Sequence, residues 1–327
     1  MEICVIILTY KREELLPDAI ESVVASANRT DAENNVTIFI VDNDPDSKND
    51  YLCHVKRKNR TEIIYKKRSS NIGGRANFSR SLLDAYNIKR FDAFIFLSDD
   101  DYVFPSFINE YAKKFKNGSD SVLSSCFVMH EPSLNVGQNK SLFSFSRHTL
   151  KIVPTRPVKE DKLKLQFLLD SGLLSGVGYS KELVQRYHEM GDEIIKYVET
   201  LWYPMAFISS FGDKVSYIHK PIFVHAQENA THWGEFDAYQ EFFLERIEMI
   251  RNISKIGNIS KEWMDLWIDD FIGHQSYKRI LKYSISEEFR LGVIVVALNK
   301  MFFETFPKLS NGLSRRLVFW AAHQRAL

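Results

Sequence analysis

Four times within the first 116 residues, a short apolar run gives way to a polar turn and then to a stretch with helical spacing. The runs are residues 2–8, 36–41, 62–65 and 94–98. They are rich in β-branched and aromatic side chains, and the first shows no in-out alternation, as expected of strands buried on both faces. Helical spacing follows over 13–27 (Leu16, Ala19, Ile20, Val23, Val24), over a short segment before residue 62, from the glycine turn at 71–77 to about 87, and over 105–116. Strand, loop and helix recurring with short connections predict an α/β layer fold with a mainly parallel sheet flanked by helices. Ligands of such sheets bind beyond the carboxyl ends of the strands. The clusters Thr9-Tyr10-Lys11-Arg12, Asp42-Asn43-Asp44 and Ser98-Asp99-Asp100-Asp101 all fall at strand ends, so they are expected to converge on one crevice.

The fourth run is the most informative. Residues 94–105 read Phe-Ile-Phe-Leu-Ser-Asp-Asp-Asp-Tyr-Val-Phe-Pro, a buried strand leading straight into three carboxylates. Like charges at the end of a buried strand repel unless a cation lies between them. Mg²⁺ and Mn²⁺ take oxygen ligands of this kind and often share them with substrate phosphates. The other reading is a solvated acidic turn in which Asp99 or Asp101 caps the helix after Pro105.

Past residue 129 the pattern changes. A strand over 121–129, a hairpin over 142–147 and 151–153, and a charged helix over 159–169 are expected. Residues 172–178 are small and apolar, suited to close approach of backbone to a ligand. Helices follow over 181–190 and 197–209, with Glu199 near the start of the second, and short strands over 215–218 and 222–224 end on His225. From Glu235 onward the spacing is helical throughout, over 235–255, 261–281, 287–306 and 312–324. The expected division is a catalytic region at 1–230 and a helical region at 231–327.

The net charge of +1 carries no nucleic-acid-binding signature. Residues 275–327 nevertheless hold nine Lys/Arg against three Glu, mixed with apolar runs such as Leu291–Val296 and Leu317–Trp320. That mixture suits helices lying on an anionic membrane surface, and equally a helical subdomain or a dimer interface. Cys4, Cys53 and Cys126 form no CxxC pair, which points to neither a disulfide framework nor a zinc site. The first strand begins at once, without a basic and apolar leader, and no apolar run reaches the roughly 20 residues of a membrane span. A cytoplasmic protein, peripheral at most on the inner membrane face, is expected.

Thr-Tyr-x-Arg after the first strand, Asp-Asn after the second, Asn-x-Gly before a helix, and a triple-Asp strand end followed by Pro together resemble the GT-A fold glycosyltransferases. Specifically they resemble family 2, whose members are inverting and use nucleotide sugars. The resemblance covers roughly residues 1–226 and implies a nucleotide-sugar donor, most often a UDP-sugar, a Mg²⁺ or Mn²⁺ ion, and a glycan or lipid-linked glycan acceptor. Carried onto matching positions, Thr9, Tyr10, Arg12, Asp42, Asn71, Gly73, Arg75 and Asp99 line the donor, while Asp100, Asp101 and His225 surround the metal. Ser98 stands where the family's usual Asp-x-Asp-Asp begins, which leaves Asp100 as the firmest ligand. The glycine turn at 71–77 also reads as ordinary helix capping, and His225 as a structural histidine. The base that takes the acceptor's proton corresponds to Glu199, with Asp192 and Glu193 as further candidates and a helix-capping or salt-bridged role as the alternative. The family's usual Glu-Asp pair is incomplete, because Thr200 follows Glu199. His232 and Trp233 sit in a candidate lid. No Gln-x-x-Arg-Trp motif of processive synthases occurs, so single-sugar transfer in surface-polysaccharide assembly (O-antigen or capsule) is implied. The competing readings are a sugar nucleotidyltransferase, which would carry a glycine-rich loop where Thr9–Arg12 stands, and a non-catalytic nucleotide-binding module.

Overall fold

The structure is a computed structural model that describes residues 1–49, 52, 57–58, 61–129, 145–148, 174–201 and 204–226. The chain divides into two compact units, Met1–Glu235 and Phe236–Leu327, and every described residue belongs to the first. The expected helices beyond 235, the helix over 159–169 and the candidate lid lie outside the described residues.

The unit is built on one sheet. Its strands are β1 (Glu2–Thr9), β2 (Asn35–Asp42), β3 (Arg57–Lys58), β4 (Thr61–Lys67), β5 (Ala93–Ser98), β6 (Tyr102–Val103), β7 (Ser121–Met129), β8 (Phe145–His148), β9 (Val177–Ser180) and β10 (Val215–Ala226). They lie in the order β3-β4-β2-β1-β5-β9-β7-β10-β6, with β8 beside β7. β4, β2, β1 and β5 run parallel, as do β7 and β10. β9 runs antiparallel between β5 and β7, and β3, β6 and β8 are antiparallel too. The longer ladders are parallel, as expected, but the sheet is mixed: a four-residue strand from the far side of a long excursion enters antiparallel at its middle.

The absence of alternation in β1 and β5 follows from helices on both faces. Ile3, Val5, Ile7, Ile95 and Leu97 pack with α1 (Leu16–Asn28) and α3 (Phe107–Lys116) in one core. On the other face Phe96 stacks on Phe78 of α2 (Gly74–Ile88) at 4.1 Å between ring centres, and Phe94 meets Tyr86. α4 (Lys181–Glu189) joins this side through Tyr187, whose hydroxyl lies 2.6 Å from that of Ser79. α5 (Asp192–Thr200) and α6 (Pro204–Ser209) complete the unit.

Two expectations change here. The helix over 197–209 is two helices: α5 ends at Thr200, Leu201 is extended, and α6 starts at Pro204, whose ring fits a first turn but not a helix interior. The strands around Pro221 are one strand, with an irregularity between Ile218 and Phe223 that accommodates the proline. The small-residue segment makes its close approach to protein. A Cβ on Gly176, at φ 79°, would stand 2.5 Å from Phe223 Cε1 and 2.7 Å from Ser124 Oγ.

Candidate active site

The register of the parallel strands sets the site. Thr9 pairs with Asp42, Asp42 with Lys67, and Leu8 with Ser98, so the strand-end clusters share one edge of the sheet. β10 ends there too and delivers His225 to Asp101, Nδ1 to Oδ1 at 3.1 Å.

The triple-Asp turn is neither solvated nor a cap. Asp99, Asp100 and Asp101 are 2%, 5% and 0% exposed, and α3 is capped at Ser106 without a side-chain hydrogen bond. Burial raises the pKa of Asp99 to about 7, with the charge of Asp100 adding to it and Thr9 and Arg12 acting in the opposite sense. The Thr9 hydroxyl favours the charged carboxylate by proximity, yet Thr9 Oγ1 and Asp99 Oδ2 are both buried without a well-formed hydrogen bond. Asp100 is also raised, first by burial and then by Asp101. For His225, burial pulls the pKa down, but the hydrogen bond and charge of Asp101, with Asp100 behind it, hold it above the ordinary histidine value. The Arg12 guanidinium closes the other side, Nη1 at 2.6 Å from Asp100 Oδ2 and 3.2 Å from Asp99 Oδ1. Arg12 sits in a loop where Lys11 takes φ 56°, a left-handed conformation uncommon outside glycine, and Tyr10 is exposed.

Beside this cluster lies a second, neutral-facing one. Asp42 Oδ2 accepts from Asn49 Nδ2 at 3.1 Å and Tyr65 Oη at 3.0 Å, while Oδ1 accepts from the Asp44 amide at 3.0 Å. Asn43 donates to Asn71 Oδ1 at 2.7 Å and accepts from the Ile72 amide at 3.1 Å, and Asn71 Oδ1 also accepts from Gly73 N. These bonds tie the glycine turn to the end of β2. Gly73 is the N-cap of α2 at φ 80°, with no side chain capping the helix, so Asn71 is not an ordinary cap.

Glu199 stands apart. It lies in the last turn of α5 rather than near a helix start, and Arg80 of α2 holds it through Nε–Oε1 at 2.7 Å and Nη2–Oε2 at 2.9 Å. Arg75 donates to the Thr200 carbonyl at 2.6 Å. Asp192 and Glu193 are exposed in the first turn of the same helix, the opposite end from Glu199. The structure thus brings together Thr9, Arg12, Asp42, Asp99, Asp100, Asp101 and His225 on one strand edge, with Asn71 and Gly73 tied to it. Asp192 and Glu193 are not drawn in. Asn49, Tyr65 and Arg80 entered no sequence motif. Each acts as a partner to a motif residue across the fold, a relation that local pattern does not carry.

Parallel strands whose ends meet at one edge of an α/β sheet, with an acidic turn after β5, are the architecture of the GT-A fold. The crystal structure of S. aureus TarS 1–349 in complex with UDP matches at TM-score 0.58 and 13% identity, over 100% of this chain and 92% of that one. The mannosyltransferase PcManGT from Pyrobaculum calidifontis, in complex with GDP-Man and Mn²⁺, matches at TM-score 0.51 and 11% identity, over 98% and 86%. Against the longer TarS structure the TM-score is 0.58 at 16% identity, and this chain spans about half of that length, 53%. No curated protein sequence matches the chain. The family model for glycosyl transferase family 2 matches residues 4–198, and the chain belongs to that family. It is a glycosyltransferase. No helix among the described residues is long and apolar enough to cross a membrane.

Proposed function

We propose that this chain moves a single sugar, with inversion and with the help of a divalent cation, from a nucleoside diphosphate sugar to a glycan acceptor in surface-polysaccharide assembly. The observation that carries the reading is the buried triple-Asp turn flanked by Arg12 and His225 at the edge where the parallel strands end. UDP, UDP-GlcNAc and GDP-Man bound in the similar structures support a nucleotide-sugar donor.

Among the described residues, no three His, Cys, Asp or Glu side chains form a ready-made metal cage. The donor set nevertheless fits Mg²⁺ or Mn²⁺. It consists of hard carboxylate oxygens, Asp99 Oδ2 is buried without a hydrogen-bond partner, and burial disfavours the charged forms of Asp99 and Asp100, which a further cation would offset. Asp100 and Asp101, with His225 beside them, would hold the ion, which supplies charge neutralisation for the leaving diphosphate. Thr9, Tyr10, Arg12 and Asp99 then face the donor. Asp42, fixed by Asn49 and Tyr65, stands beside the nucleoside. Asn71, Gly73 and Arg75 form the wall at the N-terminus of α2, where a phosphate is favoured by unbonded amides.

Inversion requires a base for the acceptor hydroxyl. Of the three carboxylates named for that role, Glu199 is the one not fully exposed. Arg80 takes one lone pair on each of its oxygens and leaves the others available. The mixed basic and apolar sequence of 275–327 supports peripheral membrane contact and a lipid-linked acceptor. A panel of nucleotide sugars with Mn²⁺ tests the reading. One donor is expected to raise Tm and be consumed, with EDTA abolishing turnover. Turnover that persists unchanged in EDTA would remove the metal from the mechanism, and the absence of any donor hydrolysis or transfer would remove the activity.

A further inference from the structure

The triple-Asp turn already carries an internal cation. The Arg12 guanidinium bridges Asp100 at 2.6 Å and Asp99 at 3.2 Å, while His225 sits on Asp101. The two parts of Arg12 differ in freedom. Its carbonyl oxygen is fixed at the foot of α1, accepting from the amides of Leu15 at 3.1 Å and Leu16 at 3.3 Å. Its side chain is 29% exposed and leaves a loop whose neighbour Lys11 has a left-handed backbone. A long, partly exposed side chain on an anchored backbone can change partners without moving the fold. Asp99 and Asp100 cannot, because they are buried at the end of a central strand. The carboxylates stay, and the guanidinium is the charge that can leave.

A divalent ion held by Asp100 would share that carboxylate with the guanidinium, and two cations on one carboxylate repel. Arginine's planar fork also matches phosphate oxygens as well as it matches a carboxylate. Resting on the donor and metal reading above, we propose that Arg12 is an exchangeable cation. It neutralises Asp99 and Asp100 while the crevice is empty, and it turns to the donor's diphosphate when a divalent ion takes Asp100. Metal and nucleotide binding are thereby coupled. The metal alone must displace Arg12 at a loss, whereas the metal with a nucleoside diphosphate gives Arg12 a second partner. By linkage, each ligand then raises the affinity for the other.

Calorimetric titration of the full chain with Mn²⁺ alone, UDP alone and both together tests this, using wild type, Arg12→Gln, Arg12→Lys and Asp100→Asn. Arg12→Gln is expected to bind Mn²⁺ alone about ten-fold more tightly than wild type, the scale of one charge-assisted hydrogen bond. UDP should then enhance its Mn²⁺ affinity less than in wild type, by a similar factor. Arg12→Lys keeps the charge without the fork, so it should bind Mn²⁺ alone as wild type does and gain less from UDP. Equal Mn²⁺ affinity in wild type and Arg12→Gln, with circular dichroism and Tm unchanged, overturns the exchange and leaves the metal site standing. A poorly folded Arg12→Gln shifts the decision to Arg12→Lys, where an undiminished gain from UDP overturns it. Mn²⁺ binding that survives in Asp100→Asn overturns the metal reading, and this inference with it.

Discussion

The two halves of the sheet do different work. On one side β4, β2, β1 and β5 are parallel, their connections are short, and their ends supply Thr9, Arg12, Asp42 and the triple-Asp turn. On the other side β9 and β6 run opposite to the parallel pair β7 and β10, and the ends of that half contribute His225. The first half concentrates negative charge. The second supplies the imidazole that meets Asp101 and closes over the turn, with Phe104 N donating to Ile222 O at 2.8 Å and β6 pairing to β10. One half builds a site under electrostatic tension and the other holds it shut. Substitutions in the first half should therefore act on turnover, and those in the second on stability.

Asp100→Asn is the sharpest way to break that division. The variant removes the carboxylate that Arg12 holds at 2.6 Å and that the proposed metal needs. Transfer is expected to fall on the order of 10³-fold, the size of a lost charge-stabilising group. Because burial already disfavours the ionised side chain, Tm should hold or rise. A large fall in Tm with turnover per folded molecule preserved would make the turn a structural feature. Glu199→Gln comes next. As the base it should lose about 10²-fold in kcat, within the usual range for a positioned acid-base group, with little change in donor KM. A loss of Tm with kcat nearly intact would instead make Glu199 a strut between α5 and α2, the other role its bidentate Arg80 pairing permits.

How much of this could be read in the sequence follows the same division. β1, β2 and β5 were legible because burial on both faces leaves unbroken apolar runs, and the convergence of their polar ends follows from parallel pairing alone. β9 was not. Val177–Ser180 pairs antiparallel with β5, more than 80 positions earlier, and no local period announces a strand inserted mid-sheet. Glu199 was misplaced within its helix because spacing over 197–209 continues through Leu201 and Pro204, where the backbone itself breaks. The partners that fix Asp42 and Glu199 were invisible for a third reason. Asn49, Tyr65 and Arg80 are ordinary residues until the fold brings them to the carboxylates of Asp42 and Glu199.

In the second half of the sheet, Gly176→Ala should test stability without chemistry. Its φ of 79° disfavours any side chain, and the added Cβ would meet Phe223 and Ser124 inside contact distance. Strain and overpacking together are expected to cost about 2 kcal/mol, read as a lower urea midpoint with kcat per folded molecule unchanged. A fall in kcat at full stability would show that β10, which carries both Phe223 and His225, tunes the site rather than merely closing it.

The smallest effect returns to the first half. Tyr65→Phe removes one of the donors to Asp42 Oδ2 and leaves Asn49 in place, so the carboxylate stays buried but is less firmly oriented. The cost is about 1 kcal/mol, one net hydrogen bond. If the parallel half is where ligand is read, that cost should appear mainly in UDP binding, weakened about five-fold, with kcat at saturating donor unchanged. The same energy appearing only in Tm, at wild-type UDP affinity, would move Asp42 from the donor site into the framework. The boundary between reading and holding would then lie between β1 and β2 rather than between the two halves of the sheet.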